Sequence, residues 1–169
     1  MSKEGALLVM IGVALVLIAL MAWGWWRRSR RDGGLVAPRG EVPAGAVVRA
    51  EFSGLYVATT AHEAPLERLA IRGLGFRAAG EVVVTDSGLA LRLRGSDPVF
   101  LDRDRLVSAA QATVAIDRVV ERDGLLRVTW LLGDTPLDSY FRPQGTSARD
   151  AAQAVAAILP HPTPTGTDA

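Results

Sequence analysis

Few side chains in this 169-residue sequence are suited to catalysis, and their spacing argues against a catalytic centre. His62 and His161 are the two histidines, separated by 99 positions, and the chain contains no cysteine. The absence of cysteine excludes a thiolate nucleophile, thiolate metal ligands and a disulfide. A metal site or a Ser–His–Asp arrangement needs side chains that converge. We therefore expect His62 in an exposed loop, and we predict no catalytic residue, no metal, no cofactor and no enzymatic activity.

Two short motifs resemble parts of metal and phosphate sites, but simpler readings are favoured. The segment Asp102–Asp104 has the D-x-D pattern of a divalent cation site, yet each acid adjoins an arginine. Surface ion pairs explain that pattern better. Gly73–Gly75 is too short for a phosphate loop, and a turn is expected there. Tyr140 and Phe141 lie on a predicted strand, where alternation would bury one of the two rings, so no binding site is assigned to them.

The segment WGWWRRSRR points to a different chemistry, contact with a membrane surface. Tryptophan rings favour the headgroup level of a bilayer, and each nearby arginine is attracted to anionic lipid by about 1 kcal/mol. We predict that the rings lie in the interface and that the arginines lie on its cytoplasmic side, within reach of anionic lipid. These membrane-interface residues are Trp23, Trp25, Trp26, Arg27, Arg28, Arg30 and Arg31.

The preceding run predicts a transmembrane helix over residues 5–26. Its 22 residues carry no charge. A helix of that length spans about 33 Å, compared with a hydrocarbon core of about 30 Å. A cleavable signal peptide is the alternative, but its apolar core would be shorter and would end in small residues. Because arginine stays on the cytoplasmic side, we predict a single-pass protein of the bacterial cytoplasmic membrane. Its N-terminus would lie outside and its C-terminal domain in the cytoplasm.

The rest of the chain predicts one domain between two irregular segments. Residues 27–45 are expected to form a basic juxtamembrane segment and a flexible linker rich in glycine and proline. Residues 160–169 contain three prolines and are expected to form a disordered tail. Residues 44–160 carry 13 arginines against 14 acidic residues. Since nucleic-acid binding by charge requires a basic domain, we expect no nucleic-acid partner.

Alternation of apolar residues predicts about seven antiparallel strands between residues 46 and 143. The clearest pair is the hairpin EVVVTDSGLALRLR, with its turn at Asp86–Gly88. In LLRVTWLLG every second residue is apolar, so Trp130 is expected in the core.

After these strands, the apolar residues recur with the period of a helix. This pattern predicts a C-terminal helix over residues 147–159. Ser147, with Asp150 three positions later, resembles a capping box. The apolar residues of one face are Ala151, Val155, Ile158 and Leu159.

This plan resembles the pleckstrin-homology-like (PH-like) fold, a seven-stranded antiparallel barrel or sandwich capped by a C-terminal α-helix. The phrases VTDSGLALRLRGSDPVFLDRDRLVSAA, VTWLLGD and DSYFRP resemble a family of single-span actinobacterial membrane proteins with a PH-like cytoplasmic domain. The resemblance implies a PH-like domain over residues 46–159. It also implies a non-catalytic binding or scaffolding module that binds a protein partner near the inner leaflet.

Two alternatives remain open: a lipid-headgroup-binding module, or an accessory subunit of a membrane transport or export complex. Phosphoinositide-binding members of the wider fold use basic residues around the first strand pair. The resemblance places Arg49, Arg68, Arg72 and Arg77 there, but acidic residues interrupt them, and this disfavours phosphoinositide-type binding. The interrupting acids are Glu51, Glu63 and Glu67.

Overall fold

The structure, a computed structural model, describes residues 3–32, 34–115, 118–119 and 124–160. Contacts divide the chain into two compact units, Met1–Gly34 and Leu35–Ala169. Apart from Pro160, the predicted tail over residues 160–169 lies outside the described residues. The same holds for His161.

The first unit contains one helix, α1, which runs from Lys3 to Asp32. Val16, Leu17 and Ile18 point to different sides of this helix, and their exposed fractions are 59 %, 56 % and 62 %. Within the described part of the chain, no helix has the length and apolar character needed to cross a bilayer. The predicted span over residues 5–26 therefore has no support from the structure.

The second unit is mainly β, with antiparallel strands and a C-terminal helix. Its elements are β1 (Val48–Ala61), β2 (Ala64–Arg68), β3 (Ala78–Thr85), β4 (Gly88–Leu93), β5 (Val99–Asp102), a 3₁₀ turn (Arg103–Arg105), β6 (Leu106–Ala112), β7 (Val114–Ala115), β8 (Arg118–Val119), β9 (Leu125–Leu132), β10 (Thr135–Pro143) and α2 (Ala148–Ala156). The strand order is β5-β4-β3-β1-β10-β9-β6, with β2 beside β1 and with β7 and β8 paired separately. The seven strands of the main path match the predicted number. The sequence predicted neither β2 nor the separation of β7 and β8 from the run LVSAAQATVAIDRVV, which also contains β6.

Strand β1 joins the two halves of the sheet. Residues 48–56 pair with β3, and residues 54–61 pair with β10. Gly54 lies where the two pairings overlap, and a Cβ atom there would collide with the carbonyl oxygen of Arg142. The close approach of the strands therefore requires glycine at this position.

Helix α2 packs on β6 and β9 and closes the core. Ser147 is its N-cap: the Ser147 Oγ accepts the Asp150 N–H at 3.0 Å and donates to Asp150 Oδ2 at 2.7 Å. The helix ends at Ala156, three residues before the predicted end, because residues 157–159 form a tighter turn. The predicted apolar face packs inward, where Ala151, Val155 and Ile158 are 5 % exposed or less.

Residues 35–42, here called the strap, differ from the predicted flexible linker. Ala37 is 2 % exposed and belongs to the main core. The Gly40 N–H donates to Pro98 O at 3.1 Å, and the Phe100 N–H donates to Pro38 O at 3.2 Å. Glycine and proline content predicted flexibility, but the strap has partners on the domain. It satisfies backbone groups of β5 that would otherwise face solvent.

Candidate functional site

The two outermost strands of the sheet, β5 and β6, differ in the hydrogen-bond partners of their backbone groups. At β5, the strap supplies the hydrogen bonds described above and covers the edge. At β6, no strand among the described residues pairs with the outer side. The strap therefore covers β5, whereas β6 is paired on one side only among the strands that the structure describes.

The sequence of β6, LVSAAQA, lacks the usual protection of an open edge. Natural edge strands are shielded by charges, prolines or bulges. Strand β6 has no charge and no proline, and its one irregularity is a register shift between Leu106 and Ser108. Val107 is 50 % exposed, and the small side chains of Ser108 and Ala110 are partly exposed. The side chains that follow Val107 on this strand are mostly small.

Inside the core, four polar side chains are joined by hydrogen bonds into one network. The Tyr56 hydroxyl donates to Leu74 O at 2.8 Å and lies 2.8 Å from Thr59 Oγ1. Ser139 Oγ lies 2.6 Å from Thr59 Oγ1 and accepts the Trp130 indole N–H at 2.9 Å. Burial raises the pKa of Tyr56 well above its ordinary value. These groups orient one another inside the core, so we assign them a structural role.

Among the described residues, the space beside that network is too small for a ligand. The space lined by Tyr56, Leu91 and Phe141 is about 10 Å³, whereas ligand pockets measure about 300–1,000 Å³. Trp130 is fully buried, as predicted. Tyr140 and Phe141 are both buried, although only one was expected to be, because Tyr140 packs with Leu125 on the opposite face of the sheet.

His62 lies in an exposed turn after β1, as expected, and it contacts a buried carboxylate. His62 Nδ1 lies 3.1 Å from Asp138 Oδ1, and the Thr129 hydroxyl donates to the same oxygen at 2.7 Å. Asp138 is 1 % exposed. Burial, and then the charge of Asp138, raises the pKa of Tyr140 on the same face. The sequence showed no signal for this pair, because 76 positions separate the two residues.

A polar groove of about 350 Å³ crosses the outer face of β1, β3 and β4. Arg92 lies 3.6 Å from both Glu41 and Glu81, so acids offset its charge. A hydrogen bond to Glu81, together with the charge of Glu81, raises the pKa of Glu51. This balance of charges does not favour a strongly anionic headgroup, in line with the interrupted arginine pattern.

The loop between β2 and β3 exposes a large apolar side chain. Phe76 is 87 % exposed, and Arg72 and Arg77 of the same loop are also exposed. Residues 71–77 are here called the Phe76 loop. The predicted turn at Gly73–Gly75 is present, with the Leu74 N–H donating to Ile71 O at 3.0 Å. The exposure of Phe76 was not predicted. Its signal was a phenylalanine flanked by glycine and arginine, outside any alternating run.

The predicted membrane-interface residues lie on α1, in the first unit. Trp23 and Trp26 are 58 % and 48 % exposed, and Arg27 is exposed. The side chains of Trp25, Arg28, Arg30 and Arg31 lie outside what the structure describes. Contact of these residues with lipid remains a prediction.

Metal binding has no support in the described ranges of the chain. There, no group of three or more histidine, aspartate or glutamate side chains could hold a metal ion. In the D-x-D segment, Arg105 Nε lies 3.4 Å from Asp102 Oδ2, and both side chains are exposed. This is the surface ion pair that the flanking arginines indicated.

Comparison with known proteins bears on the second unit. A family model described as bacterial PH domain-like matches residues 36–157. No curated protein matches the chain. The chain is also similar to a solved structure, the C-terminal domain of an unknown protein from Leishmania infantum. That similarity has 16 % identity and a TM-score of 0.42 and covers 81 % of this chain and 96 % of the other. A likeness at this level says nothing of function.

Proposed function

Since the chain belongs to the bacterial PH domain-like family, we propose that its second unit is a non-catalytic binding module that takes up an extended segment of a protein partner on β6. One observation carries the proposal: the strap covers the β5 edge, whereas the β6 edge has no described strand beside it. A sheet edge of this kind binds an extended peptide through main-chain hydrogen bonds, and alternate side chains supply specificity.

The residues of β6 define what such a segment must look like. Its side chains would meet Val107, Ser108 and Ala110, which are apolar or small and uncharged. An extended segment with apolar or small residues at alternate positions suits this edge, because a charged residue would find no counter-charge on β6. Helix α2 packs on β6 and holds the strand in place.

Attachment to the cytoplasmic face of the membrane through residues 5–31 is a second part of the proposal. The uncharged run Gly5–Trp26 and the arginines after it support this attachment, as do apolar side chains exposed around α1. Attachment would confine the module to a thin layer near the bilayer. Confinement raises the effective concentration of any partner in the same layer, so a weak contact with one strand would suffice.

The test compares two valines of equal exposure. Val107, on β6, is 50 % exposed, and Val47, just before β1, is 51 % exposed. The full chain, its Val107→Lys variant and its Val47→Lys variant are each fused after Ala169 to a proximity-labelling enzyme and produced in the native cell. A fourth fusion keeps only residues 1–45 and reports the background of the anchor.

We expect proteins that are enriched by the full chain over the anchor alone to be retained by Val47→Lys and lost by Val107→Lys. A lysine on an edge strand opposes the addition of another strand. If all three full-length fusions label the same proteins to the same extent, binding at β6 is excluded. If the full chain labels nothing beyond the anchor, the whole protein-partner proposal fails.

A further inference from the structure

We infer that a cavity beside α2 binds a carboxylate borne on a small apolar group, with Arg49 and Arg103 holding the carboxylate. The cavity, here called the α2 cavity, is bounded by α2, the start of β1, the turn between β3 and β4 and the 3₁₀ turn. None of the described residues that line it belongs to β6, so the inference does not depend on the protein-partner proposal.

The α2 cavity has the size and composition of a site for a small amphipathic ligand. Its volume is about 340 Å³, within the range of about 300–1,000 Å³ that is usual for ligand pockets. Three lining side chains are apolar and come from α2 and the turn after it, and three are charged and come from the other segments. The lining residues are Arg49, Asp86, Arg103, Ala154, Ala157 and Ile158.

Arg49 owes its position to an irregularity in β1. Val48 pairs with Thr85 and Ala50 pairs with Val84, so Arg49 is one extra residue on the β1 side of the ladder. A β-bulge of this kind redirects a side chain and is often found beside a functional site. Arg49 is exposed, and no described residue forms an ion pair with it. Its guanidinium group is therefore available to a ligand in the α2 cavity.

Arg103, the middle residue of the D-x-D segment, is held against the end of α2. Its backbone N–H donates to Ser87 O at 2.9 Å, and its Nη2 donates to Leu159 O at 3.2 Å. A guanidinium group has five N–H donors. The Nε donor is buried without a partner, and the remaining Nη donors have no partner among the described residues. Arg103 is therefore fixed in place and still able to donate to a carboxylate.

The charges of the α2 cavity favour a group with a single negative charge. Asp86 is tied to the backbone, because its Oδ1 accepts the Val47 N–H at 3.0 Å and its own N–H donates to Val47 O at 3.1 Å. Two arginines and one aspartate leave the lining with a net charge of +1. The C-terminal end of α2 adds a partial negative charge. A phosphate group, with a charge of about −2, suits this balance less well than a carboxylate.

The apolar lining explains why the carboxylate should be borne on an apolar group. Arginine binds a carboxylate through two parallel hydrogen bonds, which fixes the direction in which the rest of the ligand extends. Ala154 is half-buried and Ala157 is exposed. Their small side chains leave room for an aliphatic group, and its contact with them removes apolar surface from water. A peptide that ends in leucine and a free branched-chain acid both carry this combination of groups.

The test is a titration of the full chain followed by nuclear magnetic resonance. The chain is labelled with ¹³C in its alanine methyl groups and kept in a non-ionic detergent. N-acetyl-leucine is the probe, and N-acetyl-leucinamide, which lacks the negative charge, is the control. The methyl groups of Ala154 and Ala157 report on the α2 cavity, and that of Ala110 reports on β6.

We expect N-acetyl-leucine to shift the signals of Ala154 and Ala157 and not that of Ala110. The amide should bind at least about tenfold more weakly, because it cannot form charge-assisted hydrogen bonds with arginine. N-acetyl-alanyl-alanyl-leucine distinguishes the two sources of the carboxylate. It should bind more tightly than N-acetyl-leucine if the natural ligand is the C-terminus of a peptide, and no more tightly if the ligand is a free acid.

Charge variants test the role of the two arginines. Arg49→Gln and Arg103→Gln should each raise the Kd for N-acetyl-leucine about tenfold or more. Arg149→Gln is the matched control, because Arg149 is exposed on α2 and does not line the cavity. Since Arg49 is exposed, the Arg49→Gln chain should keep its unfolding midpoint, which separates a loss of binding from a loss of fold.

A change of cavity volume tests the same site without altering its charge. Ala154→Leu should fill the α2 cavity and weaken binding, whereas Ala156→Leu, at an exposed position that does not line the cavity, should not. Three outcomes overturn the inference: unchanged signals of Ala154 and Ala157, equal affinity for the acid and the amide, or equal effects of Arg49→Gln and Arg149→Gln. Val107→Lys should leave the titration unchanged, so failure here is distinguishable from failure at β6.

Discussion

His62 Nδ1 lies 3.1 Å from Oδ1 of Asp138, and this contact links the turn after β1 to a carboxylate buried under it on β10. The Thr129 hydroxyl donates to the same oxygen from β9. One turn and two strands thus contribute to one polar cluster on the face of the sheet opposite the main core. A buried carboxylate is tolerated only when it has such partners.

Replacing Asp138 by alanine should lower the free energy of unfolding by about 1–3 kcal/mol, because Thr129 and His62 lose their acceptor. Asp138→Asn keeps an acceptor for Thr129 and should cost less. Chemical denaturation of the full chain measures both. Asp134, exposed in the turn between β9 and β10, is the control, and its alanine variant should stay within about 0.5 kcal/mol of the parent. Equal effects of Asp134→Ala and Asp138→Ala would show that the cluster does not stabilise the fold.

The protein should lose stability in alkali because both of its tyrosines, Tyr56 and Tyr140, are buried. Burial raises the pKa of each above the ordinary value of about 10. As the pH rises, the unfolded chain therefore releases these protons before the folded chain does. The free energy of unfolding is unaffected below a pH of about 10 and falls as the pH rises further. In unfolding measured from pH 8 to 11, Tyr56→Phe should show a shallower alkaline decline than the parent. A decline of equal slope in the parent and the variant would contradict the prediction.

The strap should behave as part of the domain. Ala37→Glu places a charge among core residues and should lower the free energy of unfolding of the second unit by about 2 kcal/mol or more. Ala44→Glu, at an exposed position a few residues later, should have little effect. Thermal unfolding compares the two variants. If both substitutions leave the unfolding temperature nearly unchanged, residues 35–42 act as the flexible linker that their composition predicted.

The proposed membrane topology predicts which introduced thiols are accessible from outside the cell. The chain has no cysteine of its own, so Ser2→Cys and Ser96→Cys each give one reporter. In intact cells, a membrane-impermeant maleimide should label Ser2→Cys and should label Ser96→Cys only after lysis. Labelling of neither, or of both, before lysis would exclude a single pass with the N-terminus outside.

Features of the fold that depend on residues close together in the sequence could be predicted, whereas features that depend on distant residues could not. The hairpin of β3 and β4 and the N-cap of α2 are set by residues a few positions apart, and both were predicted. The position of β6 at the end of the described strand order was not predicted, because which strand lies at an edge depends on the order of the whole sheet. The same applies to Phe76, which is exposed while Ile71 and Leu74 of the same loop are buried in the core.

The sequence by itself determined the local elements, the buried position of Trp130 and the class of fold, because period and capping act within one or two turns of chain. Only the tertiary structure decided that the strap covers β5, that β6 lies at the end of the described strand order and that His62 contacts Asp138. These outcomes depend on contacts between residues about 60 or more positions apart in the case of the strap and 76 apart in the case of His62 and Asp138. No local propensity encodes such contacts, since they form only when packing brings distant segments together.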